Sequence, residues 1–200
     1  MERALLVGAE YLVLHPGSYR GQSLEAGIRT LAVSLREATR GLRGDGLTLL
    51  IENTAGSGHS LGSRFEELVE VRRLCSALEF PVGYCLDTAH CLAAGYDVAT
   101  ETGLRATLRQ AAALLGLEAI PVIHANDSKA PLGSRRDRHE HIGRGYIGKQ
   151  GFRRILNHPR LRSKAFILET PIERDGDDRR NLETLKNLCR KSRTTTGRSS

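Results

Sequence analysis

Five short apolar runs, each followed directly by a His, Glu or Asp, constrain this chain more than any other feature of its sequence. The runs lie at 12–14, 47–51, 82–86, 121–123 and 165–168. Helix-like stretches separate and follow them, at about 23–40, 64–78, 101–116, 148–157 and 178–190. Strands that alternate with amphipathic helices predict a parallel α/β fold with about five βα units.

The polar residues that end these runs predict a functional site. They are His15, Glu52, Asp87, His124 and Glu169. Parallel α/β barrels carry their chemistry at the carboxyl ends of the strands, where side chains distant in sequence meet at one mouth. We therefore expect these five side chains to converge.

The residue types favour a zinc site that keeps a position open. Asp87 is followed three positions later by His90, and His124 is followed by Asp137 and His139. Asp137 and His139 are two positions apart, so on an extended segment both point to the same side. Zinc that must also bind water takes imidazole and carboxylate ligands, whereas structural zinc usually takes thiolates.

The cysteines do not offer a competing metal motif. Cys75, Cys85, Cys91 and Cys189 show neither C-x-x-C nor zinc-ribbon spacing. Since Cys75 and Cys85 lie in or beside apolar segments, we predict reduced, buried thiols.

Composition is that of a globular protein with a basic surplus. Two hundred residues with 40% hydrophobic and 26% charged residues suit one domain, which we place at 1–190, with a basic flexible tail at 191–200. The formal net charge of +7 favours polyanionic partners such as nucleic acid. Neither a secretory leader nor an apolar run of membrane-spanning length is visible, so we expect a cytoplasmic protein with no membrane partner.

One long segment resembles a family signature. Residues 124–139 fit H-x-N-[DE]-S-K-x3-G-S-x2-D-R-H of the endonuclease IV family (AP endonuclease family 2, deoxyribonuclease IV) at each defined position. Residues 83–90 resemble its second signature, with Tyr84 and Ala89 as departures. Segments 15–17, 52–56 and 168–171 also match the family's strand ends, so the resemblance covers almost the whole chain.

The resemblance implies a (β/α)8 TIM barrel, here a partial one, that holds up to three zinc ions. The implied ligands fall into three groups: Glu52, Asp87, His124 and Glu169 for one metal, His15 with Glu52 as the bridge for a second, and His90, Asp137 and His139 for the third.

The implied activity is zinc-dependent hydrolysis of DNA 5′ to an abasic site in base excision repair, leaving a 3′-hydroxyl. Zinc lowers the pKa of bound water to roughly 7, and paired metals stabilise attacking and leaving oxygens, so no protein nucleophile is needed. Glu52, as the bridging carboxylate, is the catalytic candidate. Arg138 and Lys129 are candidate DNA contacts, since both can meet the phosphate backbone of a double-stranded partner.

The departure from the family lies at the amino terminus. The family has three βα units before its His-Pro-Gly strand, with a further metal-site histidine in an H-x-x-Y segment, and this chain begins just before the fourth strand. The metal shared by His15 and Glu52 would then lack one ligand, and the open barrel edge would invite self-association. We expect either a start assigned too late in a longer enzyme, or a short product that binds metal or DNA without cleaving efficiently.

Two other functions remain open on the sequence. One is a metal-dependent sugar isomerase or epimerase of the xylose-isomerase-like barrels, which also gather such ligands at strand ends. The other is a non-catalytic remnant that binds metal or DNA. His59, His141 and His158 match no ligand position, and we interpret them as structural residues. Asn126, Asp127 and Ser128 are expected to orient ligands or to shape their loop.

Overall fold

The computed structural model describes residues 1–44 and 46–189, so the predicted tail at 191–200 lies outside the described residues. The strands are β1 (Tyr11–Leu14), β2 (Thr48–Glu52), β3 (Val82–Asp87), β4 (Val122–His124), β5 (Asp127–Ser128), β6 (His139–Glu140) and β7 (Ala165–Ile167). The helices are α1 (Glu2–Leu6), α2 (Leu24–Thr39), α3 (Phe65–Leu74), α4 (Thr88–Ala94), α5 (Glu101–Leu114), α6 (Gly148–Leu156) and α7 (Asp177–Leu188), with a 3-10 turn at Leu117–Ala119.

Five of the strands form one parallel sheet in the order β1-β2-β3-β4-β7. Helices follow each strand, and the neighbouring pairs α2–α3, α3–α5, α5–α6 and α6–α7 are in contact. This arrangement confirms the predicted partial barrel of five βα units. Strands β1 and β7 form the two edges of this sheet, but self-association through an edge stays a prediction.

The two faces of the sheet have different neighbours. Leu49, Ile51 and Tyr84 pack into the large hydrophobic core with the helices. Leu50 and Cys85, which alternate with them along the strands, belong to a separate buried cluster on the other side, the inner face. Side chains alternate with a period of two along a strand, so this pattern fixes which residues at the strand ends share the inner face.

The long helices begin where the sequence supplies caps. The Ser23 hydroxyl accepts a hydrogen bond from the Ala26 N–H at the start of α2, and Thr100 does the same for Gly103 at the start of α5. Such caps satisfy N–H groups that have no partner within the helix. The apolar stripes of these helices then cover the outer side of the sheet.

Short features add to the elements that periodicity predicted. Helix α4 starts immediately after β3, because the Asp87 carboxylate caps it by accepting the His90 N–H at 2.7 Å. The antiparallel pair β5–β6 joins Ser128 to His139 and Asp127 to Glu140. Neither element shows a long periodic pattern, so short-range periodicity could not find them.

The buried carboxylate of Asp127 organises the segment that follows β6. It accepts hydrogen bonds from the backbone N–H groups of Gly143 at 2.9 Å, Gly145 at 3.0 Å and Ile147 at 2.9 Å, and also from those of Ser128 and Gly148. Gly145 passes so close that a Cβ atom there would clash with the Ser128 carbonyl oxygen. The loop is therefore shaped by its backbone around one negative charge.

Three of the four cysteines lie in the interior of the fold. Cys75, Cys85 and Cys91 are buried and free, whereas Cys189 is free and exposed. Within the described ranges, no helix combines the length and the apolar character needed to cross a membrane.

Replacement of Asp127 tests this account of the loop. We expect Asp127→Asn to reduce the free energy of unfolding by about 3 kcal/mol, because an amide nitrogen would face backbone donors that now bind a carboxylate oxygen. Urea denaturation measures the effect. The control is Asp178→Asn, an exposed carboxylate at the start of α7, for which we expect a change below about 0.5 kcal/mol. Equal small effects of both substitutions would contradict the account.

Candidate metal centre

Four predicted ligands meet at the carboxyl end of the sheet. Ligand atoms of Glu52, Asp87, His124 and Glu169 all lie within 4.8 Å of one another. The first three are buried, and the side chain of Glu169 is 47% exposed. His124 Nδ1 lies 3.0 Å from both Glu52 Oε1 and Glu169 Oε2. This is the set expected for one metal, reached from four separate strands.

Glu52 connects this group to a second one. Its Oε2 atom lies 3.2 Å from His15 Nε2, and its Oε1 atom lies 3.4 Å from His90 Nδ1. The three residues form a group that could hold an ion. The His15 side chain is 54% exposed, so this part of the site is open to solvent. Glu52 thus belongs to both candidate groups, and its role as a bridging ligand stays a prediction.

The third predicted set also comes together. His90 Nε2 lies 3.4 Å from His139 Nε2, and Asp137 Oδ1 lies 3.2 Å and 3.5 Å from these two nitrogens. Asp87 also approaches, with Oδ2 3.7 Å from His139 Nε2, and forms a candidate group with the two histidines. The buried carboxylate of Asp87 therefore lies beside this set as well. The sequence predicted Asp137 as the only carboxylate of the set.

The ring nitrogens of two histidines are oriented as metal ligands require. His90 Nδ1 lies 2.9 Å from the Asn53 carbonyl oxygen, and His139 Nδ1 lies 3.0 Å from the Glu169 carbonyl oxygen. A carbonyl can only accept, so each Nδ1 carries the proton, and in the neutral ring Nε2 then offers its lone pair. Metal-binding histidines commonly fix their tautomer in this way.

Neighbouring groups stabilise the cationic forms of His90 and His124 when only protons are available. Burial opposes charge on His90, but attraction to Asp87, Asp137 and Glu52 outweighs it and raises the pKa of His90 to about 11. Burial likewise opposes charge on His124, yet contacts with Cys85, Glu169 and Glu52 raise its pKa to about 12. The carboxylates of the cluster thus stabilise positive charge beside them.

The carboxylates respond in the opposite direction. Burial favours the neutral form of Glu52, but hydrogen bonds from His124, His15 and His90 lower its pKa well below the usual range. A hydrogen bond from His124 lowers the pKa of Glu169 in the same way. Ionised carboxylates beside imidazoles with convergent nitrogens suit a divalent cation, which would supply the charge that protons otherwise supply.

Two asparagines hold Asp87 and Glu169 in place. The Asn126 amide donates to Asp87 Oδ2, and its Oδ1 atom accepts the Glu169 N–H at 2.8 Å. The Asn53 Oδ1 atom accepts the Asp87 N–H at 2.7 Å. Asn126 behaves as the sequence predicted, whereas Asn53 was missed, since a single asparagine after a strand has no distinctive spacing.

The predicted DNA contacts lie on the surface around the centre. Arg138 is exposed and donates to the Asp137 carbonyl oxygen at 2.7 Å. Lys129 lies 3.5 Å from Glu173 and lines a cleft of about 290 Å³ together with Arg144 and Tyr146. A cleft of about 660 Å³ elsewhere contains no predicted ligand, so cleft volume alone does not locate the site.

The three excluded histidines lie outside the candidate ligand groups of the described residues. His59 packs edge-on against Tyr19, His141 contacts Asn181 at 3.0 Å, and His158 Nδ1 accepts the Arg160 N–H. Asn181 is a further residue that the sequence did not reveal, because it lies in the middle of an ordinary amphipathic helix.

Comparison with known proteins places the chain in a family. The family described as Xylose isomerase-like TIM barrel matches residues 1–190. A protein of Solibacter usitatus (strain Ellin6076) named "Probable endonuclease 4" is 59% identical over 190 residues, which are 94% of this chain and 66% of that protein. The chain thus spans just under two thirds of this relative's length.

Solved structures agree on the fold. Endonuclease IV from Thermus thermophilus matches with a TM-score of 0.76 and 41% identity, covering 94% of this chain and 64% of that one. A D-tagatose 3-epimerase-like protein matches with a TM-score of 0.64 over 94% of this chain and 64% of that one, but at 21% identity, which indicates a common fold alone. The chain therefore belongs to the xylose isomerase-like TIM-barrel family and, within it, to the endonuclease IV family.

Proposed function

We propose that this chain carries the metal centre of a zinc-dependent endonuclease that hydrolyses double-stranded DNA 5′ to abasic sites, leaving a 3′-hydroxyl. The observation that carries the proposal is the convergence of Glu52, Asp87, His124 and Glu169 within 4.8 Å. Relatives and a solved structure that bear the endonuclease name support the choice of reaction.

The ligand sets support up to three zinc ions. Glu52, Asp87, His124 and Glu169 would hold one, Glu52 and His15 a second, and His90, Asp137 and His139 a third. When bound, zinc supplies Lewis acidity and a nucleophile derived from water at neutral pH.

Other residues of the chain hold the candidate ligands in position. Asn126 and Asn53 fix the carboxylate and the backbone of Asp87, and backbone carbonyls fix the rings of His90 and His139. Because these groups are already held in place, little reorganisation is needed when a substrate arrives.

The exposure of the site favours an extended anionic substrate. The side chains of His15, Asp137 and Glu169 are 54%, 44% and 47% exposed, so the ligands at the rim face solvent. Arg138 and Lys129 lie in the surrounding surface, where they can contact phosphate oxygens. A site for small sugars would usually bury most of its ligand in an enclosed pocket, so this open rim favours DNA over the isomerase alternative.

The decisive experiment uses a duplex with one abasic site. We expect the 200-residue chain to nick it when zinc is added and to lose this activity with chelator. We expect Glu52→Gln to lower the rate roughly 100-fold or more, because the bridging carboxylate would lose its charge. Product length on a denaturing gel measures both effects.

The outcomes separate the alternatives. Glu101→Gln, an exposed carboxylate on α5, serves as the matched control and should nick like the parent. Binding without nicking would support the non-catalytic remnant. If the chain neither binds nor nicks but interconverts sugars, the isomerase alternative is correct.

Stabilisation by zinc should increase with pH. His90 and His124 keep protons in the metal-free fold up to a pKa of about 11 and about 12, whereas the unfolded chain loses them near 6.5. Their ion pairs therefore stabilise the metal-free fold fully below about pH 6.5 and progressively less above it. Zinc must displace these protons, so its affinity rises with pH.

Thermal unfolding with zinc and with chelator at about pH 6, 7 and 8 measures this effect. We expect the Tm difference between the two conditions to grow at each step. The lowered pKa of Glu52 acts below about pH 4.5, outside this window. A Tm difference that stays constant or shrinks would contradict zinc binding by these histidines.

The DNA contacts should appear in the salt dependence of binding. We expect Lys129→Ala and Arg138→Ala each to reduce the slope of log K against log salt by about 0.9, the value for one lost phosphate contact. Fluorescence anisotropy on the abasic duplex measures the slope. Arg105→Ala, on the exposed side of α5, should leave it unchanged. If all three variants behave alike, these two residues do not contact the backbone.

A further inference from the structure

We propose that Asn181 of α7 is a positioning residue that ties together the two segments carrying His139 and Glu169, and so sets the metal affinity of the centre. The inference rests on the proposed function, because it concerns the same ligands. Asn181 itself is no ligand candidate. It is buried, with 4% of its surface exposed.

The Asn181 side chain uses both ends of its amide. Its Oδ1 atom accepts the Ile142 N–H at 3.0 Å. Its Nδ2 atom donates to the Thr170 hydroxyl at 2.9 Å and lies 3.0 Å from His141 Nδ1. An amide nitrogen has two protons, so both acceptors can be served at once. One side chain thus makes three hydrogen bonds to two separate segments.

These contacts lie next to two ligands. Thr170 directly follows Glu169, and His141 comes two positions after His139. The ligand segments also contact each other, because His139 Nδ1 donates to the Glu169 carbonyl oxygen at 3.0 Å. Asn181 therefore supports, from α7, the contact between the His139 segment and the Glu169 segment. These two segments carry ligands of different candidate metal groups.

The contact with His141 fixes that ring as well. The Asn181 amide donates to Nδ1, so the proton of the neutral ring is on Nε2, which lies 4.0 Å from Asp177 Oδ2. The Asp177 carboxylate in turn accepts the backbone N–H groups of Glu173 and Arg174. Asp177 thus holds the loop before α7 and lies near the His141 ring, while the direct hydrogen bonds between α7 and the segment after β6 come from Asn181.

A purely structural role is the rival explanation, since α7 also packs on α6. Asn157 offers a matched comparison, because it donates to the Leu188 carbonyl oxygen at 2.9 Å at the other end of α7. Asn157 thus holds the same helix with the same chemical group, away from both ligand segments. Metal affinity separates the two roles, whereas stability does not.

The experiment compares Asn181→Leu with Asn157→Leu in the 200-residue chain. Zinc affinity of the metal-free protein is measured by competition with a chromophoric chelator, and the free energy of unfolding by urea. We expect Asn181→Leu to weaken zinc binding about 10- to 100-fold, as loss of a residue that orients ligands usually does. Asn157→Leu should leave the affinity within about twofold, even if both variants are destabilised.

Two further variants test the inference if Asn181→Leu does not fold. Thr170→Val removes only one of the three hydrogen bonds and should weaken zinc binding by a smaller factor. Asn181→Asp keeps an acceptor for Ile142 and can accept from the Thr170 hydroxyl, so it should restore part of the affinity.

The parent chain distinguishes failure of this inference from failure of the proposed function. If the parent binds no zinc, the proposed metal centre is wrong. If the parent binds zinc and nicks DNA, but Asn181→Leu and Thr170→Val bind zinc within about twofold of the parent, Asn181 has no positioning role. Equal loss in Asn181→Leu and Asn157→Leu would also overturn the inference, because it would assign the effect to general destabilisation.

Discussion

The alternation of side chains between the two faces of the sheet is the constraint on which the rest of the site depends. Strand pairing places Val13 beside Leu50, Cys85 beside Val122 and Asp87 beside His124. Because side chains two positions apart share a face, the apolar residues of the inner face and the polar residues just beyond them point the same way. A shift of one residue in any strand would turn its ligand towards the helices.

Burial of like charges then dictates what surrounds the ligands. Glu52 and Asp87 are 2% and 0% exposed, and their oxygens lie close together. Two ionised carboxylates so placed destabilise the fold unless positive charge accompanies them. The imidazoles provide it through bound protons, or the proposed metals provide it directly. The asparagines are neutral, so they orient the ligands without disturbing this balance.

Much of the fold and many of the candidate ligands could be predicted from sequence. Each of the five strands was found from its apolar run, and the structure brings together the residues that follow them. The spacing of Asp137 and His139 suggested two more ligands, and the resemblance to a family grouped them with His90 as the predicted ligands of one metal. A loop of this kind has no repeating pattern to indicate where it folds back.

The remaining residues escaped prediction for a physical reason. Asn53 and Asn181 act through single side-chain amides with partners 34 to 40 positions away, and Asn181 also bonds Thr170, 11 positions away. Their roles depend on the three-dimensional placement of backbone groups, and a lone asparagine looks the same in a solvated turn as in a buried bridge. Sequence analysis alone therefore identifies candidate ligands more readily than it identifies the residues that hold those ligands in position.

The way Asp127 holds the segment after β6 has a consequence for how such a protein can diversify. All of its partners there are main-chain N–H groups, so the path of the segment does not depend on the side chains that it displays. Arg144 and the 59% exposed Tyr146 lie on this frame. Because the backbone path does not depend on these two side chains, the chemistry of this surface can change while the candidate ligands beside it keep their positions.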